Sequence, residues 1–359
     1  MRTARRQRTK PITQLQLKFR PAIQQSPVVF ARLAPARATA VFDTYWRFAA
    51  ERQRIFFRRI DGDAAPWTDD PVLRQYKFTN AYRASDRVSQ YLIKSVIYDG
   101  DQSPDEVFFR TLLFKFFNKA ETWALLKQVF GTPSFADYSS EHYGAILDDA
   151  MSSGRRIYSA AYIMPSGRAG GTERKHRMHL KLLEGMMRYR LPARLAAASS
   201  MKEAFELLRS YPTIGDFLAY QYVTDLNYSG LLNFSEMDFV VPGPGARDGI
   251  RKCFQDLGGL KEAEVIKMMS DRQESEFDRL DLRFQTLWGR RLQLIDCQNL
   301  FCEVDKYARM AHPEISGVTG RTKIKQKYRM TGSPIAYWYP PKWGLNQRAP
   351  LGGDYVSSI

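Results

Sequence analysis

Cysteine and histidine are scarce in this chain, and it has no long apolar run. Three cysteines in 359 residues, Cys253, Cys297 and Cys302, cannot build a disulfide framework and show no C-x-x-C spacing. They read as small buried hydrophobes in a reduced protein. No apolar signal-peptide region follows the arginine-rich start, so an intracellular setting is expected. Nowhere do roughly 18 apolar residues follow one another without a charge, which excludes a transmembrane helix and any membrane partner that needs one. Of four histidines, His176 and His179 are three apart, but they sit among Arg174, Lys175, Arg177 and Lys181 with no third ligand in view. No metal and no cofactor is expected. The chain also has no Gly-Lys-Ser/Thr after a glycine-rich turn, which argues against a P-loop kinase.

Acid is missing from both ends. Residues 1–40 hold nine Lys or Arg and no Asp or Glu, and residues 318–359 hold seven basic residues and one acid, Asp354. The body, 41–317, is left with 38 basic and 37 acidic residues, so nearly all of the formal +16 charge lies in the two ends. A solubilising tail has the same composition. In the C-terminal extension, Tyr328, Tyr337, Trp338, Tyr339 and Trp343 are interleaved with the cations, which points toward a nucleic-acid backbone. Three parts follow: a basic N-terminal arm (1–40), a helical body (41–317) and a basic aromatic extension (318–359).

Apolar residues recur at three- and four-residue spacing in 41–58, 77–97, 104–117, 121–129, 143–152, 175–188, 201–209, 216–227, 246–257, 262–269, 283–288 and 291–311. A period of two is confined to 156–164 and 335–339, too short to build a sheet. The fold class is mainly α, with two helical lobes.

The segment 200–226 reads as helix, hairpin, helix. Ser200 caps the first helix, Ser210-Tyr-Pro-Thr-Ile-Gly215 connects, and Asp216 opens the second. Such a hairpin in helix-hairpin-helix proteins grips a DNA backbone through free amides, which would engage Tyr211, Thr213 and Gly215. Two helices joined by Pro and Gly also occur in many all-α cores. Asp238 follows Gly215 by 23 residues, near the place where DNA glycosylases built on this hairpin carry a catalytic aspartate. A carboxylate there stabilises the sugar cation after base flipping. Phe217 stands where lyase-active relatives have a Schiff-base lysine, so a monofunctional enzyme is expected.

Three further sets could line a nucleotide or phosphate pocket: Asn80, Arg83 and Arg87 on one helical face; Gly243, Gly245 and Arg247 in a glycine-rich turn; Glu303, Lys306 and Tyr307 on adjacent helical turns. A solvated helix face or a plain tight turn explains each equally well. Arg168, Arg174 and Lys175 lie in a basic loop suited to phosphates.

At Phe78-Thr-Asn-Ala-Tyr-Arg-Ala-Ser-Asp-Arg87, Pro242-Gly-Pro-Gly-Ala246 and Phe301-Cys-Glu-Val-Asp-Lys-Tyr307 the sequence resembles the alpha-glutamyl/putrescinyl thymine pyrophosphorylase family, also described as the helical domain of hydroxymethyluracil-DNA kinases. The resemblance implies a divergent helix-hairpin-helix glycosylase-like fold and modified pyrimidines of phage DNA. Some members resemble amino-acid or polyamine transferases, others base-excising enzymes. The expectation is a monomeric DNA glycosylase that removes a hydroxymethylated or further decorated pyrimidine, with Asp238 catalytic and a place in phage defence. The alternatives are amine transfer onto an activated hydroxymethyl pyrimidine, and DNA binding without catalysis.

Overall fold

The computed structural model describes residues 34–161, 164–165, 174–330 and 336–349. Among them are thirteen α-helices: α1 (Ala40–Ile60), α2 (Pro71–Gln75), α3 (Arg87–Leu92), α4 (Pro104–Phe117), α5 (Ala120–Phe130), α6 (Ser140–Ser152), α7 (Lys175–Arg188), α8 (Leu191–Ala196), α9 (Met201–Arg209), α10 (Asp216–Leu226), α11 (Pro244–Cys253), α12 (Glu262–Arg279) and α13 (Leu294–Ala311). The mainly α expectation holds. Two short strands, β1 (Arg37–Ala38) and β2 (Phe254–Asp256), pair antiparallel.

The helices pack as two groups. In one, α1 lies against α11, α12 and α13; in the other, α4 contacts α5, α7, α8 and α10, with α9 on α10 and α6 on α7. Helix α1 starts where the Thr39 hydroxyl accepts the Val41 N–H at 3.1 Å, and its Val41, Tyr45, Trp46, Phe48 and Phe56 face the core. Helices α4 and α10 are buried nearly all round. Helices α11 and α13 touch backbone to backbone: a Cβ on Gly249 would lie 2.0 Å from the Phe301 carbonyl oxygen, so only glycine fits there.

Three local expectations fail. Residues 77–86 are not helical: Asp86 accepts the Asn80 N–H at 2.7 Å, Asn80 donates to the Ser85 carbonyl at 2.7 Å, and a 3₁₀ turn spans Arg83–Ser85 before α3 begins. Side-chain bonds to main-chain groups have displaced the helical ladder. Residues 283–288 form a turn region, flanked by left-handed Asp281 and Gly289 and closed by a Leu287–Arg290 bridge. The expected helix over 246–257 stops at Cys253, where β2 takes over. The described parts of the two period-two stretches, 156–161 and 336–339, form no strand, in keeping with their shortness.

The aromatic C-terminal stretch is not a free stacking platform. Tyr339 is fully buried with its hydroxyl 2.9 Å from Ser85 Oγ, and the Trp338 N–H donates to Gln90 at 2.8 Å. Trp343 stacks under the Arg290 guanidinium at 3.8 Å. Tyr328 alone of the five named aromatics counts as exposed. Residues 1–33 lie outside the described residues; Arg37 of the basic arm pairs with Asp256 at 3.3 Å.

Candidate functional site

Two of the sequence motifs, more than 200 residues apart, meet in one polar cluster. The Thr79 N–H donates to Glu303 at 2.9 Å, and Lys306, one turn further along α13, bonds Glu303 at 2.7 Å and the Lys77 carbonyl at 3.3 Å. From α1, Arg52 donates to the Thr79 carbonyl at 2.9 Å and to Asn80 Oδ1 at 3.1 Å. Asn80 and Asp86 share the 2.7 Å bond described above. The buried Thr79 hydroxyl has no hydrogen-bond partner among the described residues.

Burial pushes the Asp86 carboxyl up to about 7, against the Asn80 N–H it accepts, with Glu303 adding to the rise and Arg52 and Arg83 opposing it. Burial likewise lowers the Arg52 guanidinium from its ordinary value. The cluster thus offers a carboxyl that titrates near neutrality, a second carboxylate, a lysine and an arginine.

Arg83 faces inward. Its guanidinium pairs with Asp225 of α10 at 2.7 Å and bonds Gln221 at 3.2 Å and the Tyr228 hydroxyl at 3.0 Å, while Lys115 of α4 reaches the other Asp225 oxygen at 3.1 Å. Its main-chain N–H donates to Asp296 of α13 at 2.8 Å, so this one residue ties the two helix groups together. The expected helical face of Asn80, Arg83 and Arg87 does not form, because residues 77–86 are not helical and Arg83 is drawn into this buried centre. Burial raises Asp296 to about 7.

The remaining expected residues lie elsewhere. Gly243 and Gly245 are packing positions: a Cβ would meet the Phe217 ring at 2.9 Å and Cys302 at 3.2 Å. Arg247 is exposed, and Arg87 opens α3 and is exposed. Tyr307 packs against the Phe48 and Phe78 rings and donates to Asp70 at 2.5 Å. In the α9–α10 connector Tyr211 is half-buried, Thr213 is left-handed with φ 69°, and Gly215 precedes Asp216, whose carboxylate pairs with Arg209. Asp238 is exposed in a turn, and among the described residues no side-chain bond or ion pair joins it to the cluster. Arg174 pairs with Asp148 at 2.6 Å, and Lys175 lies over the Tyr158 ring at 4.5 Å. Arg168 falls outside the described residues. His176 contacts Asp148 at 3.0 Å and His179 contacts the Tyr158 hydroxyl at 2.8 Å, so both rings are occupied internally.

Sequence reasoning missed Arg52, Lys115, Gln221 and Asp225. Each was signalled as a polar residue set into an apolar face: Lys115 stands inside Leu-Phe-Lys-Phe-Phe, and Arg52 lies among the core-facing residues of α1.

Residues 39–317 match the family described as "5-hmdU DNA kinase, helical domain". The chain belongs to this family. The 5-hmdU DNA kinase of Bacillus phage SP10 is 28% identical over 297 residues, covering 77% of this chain and 46% of the relative. The chain therefore spans about half the length of the curated relative it matches. No solved structure matches.

Membership of a kinase helical-domain family overturns base excision as the expected activity, and with it the glycosylase and hydrolase reading. The sugar-cation role expected of Asp238 falls with that reaction. Amine transfer and DNA binding without catalysis are not what the family and its relative name either. Among the described residues no helix is long and apolar enough to cross a membrane.

Proposed function

We propose that this chain serves phosphoryl transfer to DNA carrying 5-hydroxymethyl-2′-deoxyuridine, acting as the helical part that holds the DNA and presents the hydroxymethyl group. The observation that carries this reading is the meeting of residues 79–86 with Glu303 and Lys306 of α13 in a family described as a DNA kinase helical domain. A hydroxymethyl group gives up its proton as its oxygen takes a phosphoryl group, and Asp86, poised at about 7, is suited to accept that proton. Arg52 and Lys306 flank the carboxylates and would offset the charge of an approaching phosphate.

The test is binding to duplexes that differ at one base, 5-hydroxymethyluracil or thymine. A preference for the hydroxymethylated duplex that Asp86→Asn and Lys306→Ala both reduce supports the reading. Equal binding to both duplexes by the wild type contradicts it.

A further inference from the structure

The segment that follows α13 carries a regular array that the polar cluster does not use. Arg321, Lys323, Lys325, Lys327 and Arg329 occupy every second position, and all five are exposed. Between them, Ile324 packs against the core, and the Gln326 carbonyl accepts the Lys77 N–H at 3.0 Å. The main chain is fastened along its length. The Thr319 N–H donates to Asp248 at 3.1 Å, Arg309 donates to the Lys323 carbonyl at 3.0 Å, and the Tyr328 N–H donates to the Gln75 carbonyl at 2.9 Å beside a Tyr76–Lys327 bridge. This is a held track and not a loose tail.

The five cations are also unneutralised. Among the described residues none of their side chains has a hydrogen bond or an ion pair, whereas Arg54, Arg188, Arg209 and Arg279 are each held by carboxylates. No acidic residue occurs between Glu314 and Asp354. The track runs beside the site, since Tyr76 and Lys77 lead directly into Phe78-Thr79-Asn80 and Arg309 lies one turn beyond Lys306.

Charge selects the partner. A duplex carries one phosphate charge per ~1.7 Å of its axis, counting both strands, so a row of fixed cations without carboxylate partners meets a dense line of anions along it. We infer that residues 321–329 are a track for the sugar–phosphate backbone of one DNA strand, leading it past the Asn80–Glu303 cluster. The inference rests on the reading that the substrate is DNA.

The test compares two variants of equal net charge, K323Q/K325Q/K327Q on the track and K94Q/K202Q/K267Q at exposed lysines elsewhere, both checked for unchanged thermal unfolding. The probe is an unmodified thymine duplex, so the outcome does not depend on base recognition or phosphoryl transfer, whose failure is read separately with 5-hydroxymethyluracil DNA. The slope of log K against log salt should fall by about 2.7 in the track variant, at ~0.9 per lost phosphate contact, and stay unchanged in the control. An unchanged slope in the track variant overturns the inference, as does an equal loss in the control. So does track-dependent binding to poly-glutamate or phosphatidylserine vesicles with DNA binding unaffected.

Discussion

The Arg83 guanidinium and the Asp225 carboxylate, 142 residues apart in the chain, meet at 2.7 Å with both side chains almost wholly buried. Burial alone would raise the Asp225 carboxyl, but Arg83 and Lys115 together hold it below its ordinary value. Removing one partner leaves an uncompensated charge in the core. Arg83→Ala should therefore lower unfolding free energy by about 3–5 kcal/mol, measured by denaturant unfolding. A loss within 1 kcal/mol, the size expected of a surface contact, would place Arg83 outside the core network.

The pH dependence of stability follows from Asp86 and Asp296, each raised to about 7 by burial. A carboxyl whose folded value lies above its unfolded value binds a proton more tightly when folded. Its contribution is full below the unfolded value near 4 and is lost as pH rises toward 7. Thermal unfolding should thus occur at higher temperature at pH 5 than at pH 8, and Asp86→Asn should narrow that difference. A wild type equally stable at both values, or a variant with an unchanged difference, would contradict the assignment.

Gly249 sets the closest approach of α11 to α13. Gly249→Ala places a methyl group where the Phe301 carbonyl now lies, 2.0 Å from the ideal Cβ position. The helices must separate, at a cost of about 1–3 kcal/mol in calorimetric or denaturant unfolding. Gly320→Ala, at an open position with left-handed φ, would measure backbone strain without crowding.

Tyr339 tests whether the C-terminal stretch belongs to the fold. It is fully buried, bonds Ser85, and packs on Trp288 and Trp343. Tyr339→Ala should destabilise by about 3 kcal/mol or more, as for other large core side chains. An unaffected melting temperature would make the stretch an appendage.

Most of the helices were legible because their apolar spacing is regular. The expected spans 104–117, 175–188 and 201–209 coincide with α4, α7 and α9. Residues 77–86 were misread because their structure is set by side-chain bonds over long sequence distances: Thr79 to Glu303, Arg83 to Asp296 and Asp225. Periodicity carries no record of such partners. The motif residues Asn80, Glu303 and Lys306 were nevertheless singled out from sequence, and they do come together. Asp238 drew its expected role from an assumed reaction and not from any partner it has, and that role went when the reaction did. The C-terminal aromatics looked like a nucleic-acid platform because sequence does not distinguish a ring that stacks on a base from one that stacks on Arg290.

The most direct measurement is the affinity of the wild type and of Asp86→Asn for otherwise identical duplexes holding one 5-hydroxymethyluracil or one thymine. The account predicts tighter binding of the hydroxymethylated duplex by the wild type and loss of that preference in the variant, with affinity for the thymine duplex unchanged. Equal affinity of the wild type for both duplexes, or a preference that survives Asp86→Asn, would contradict it.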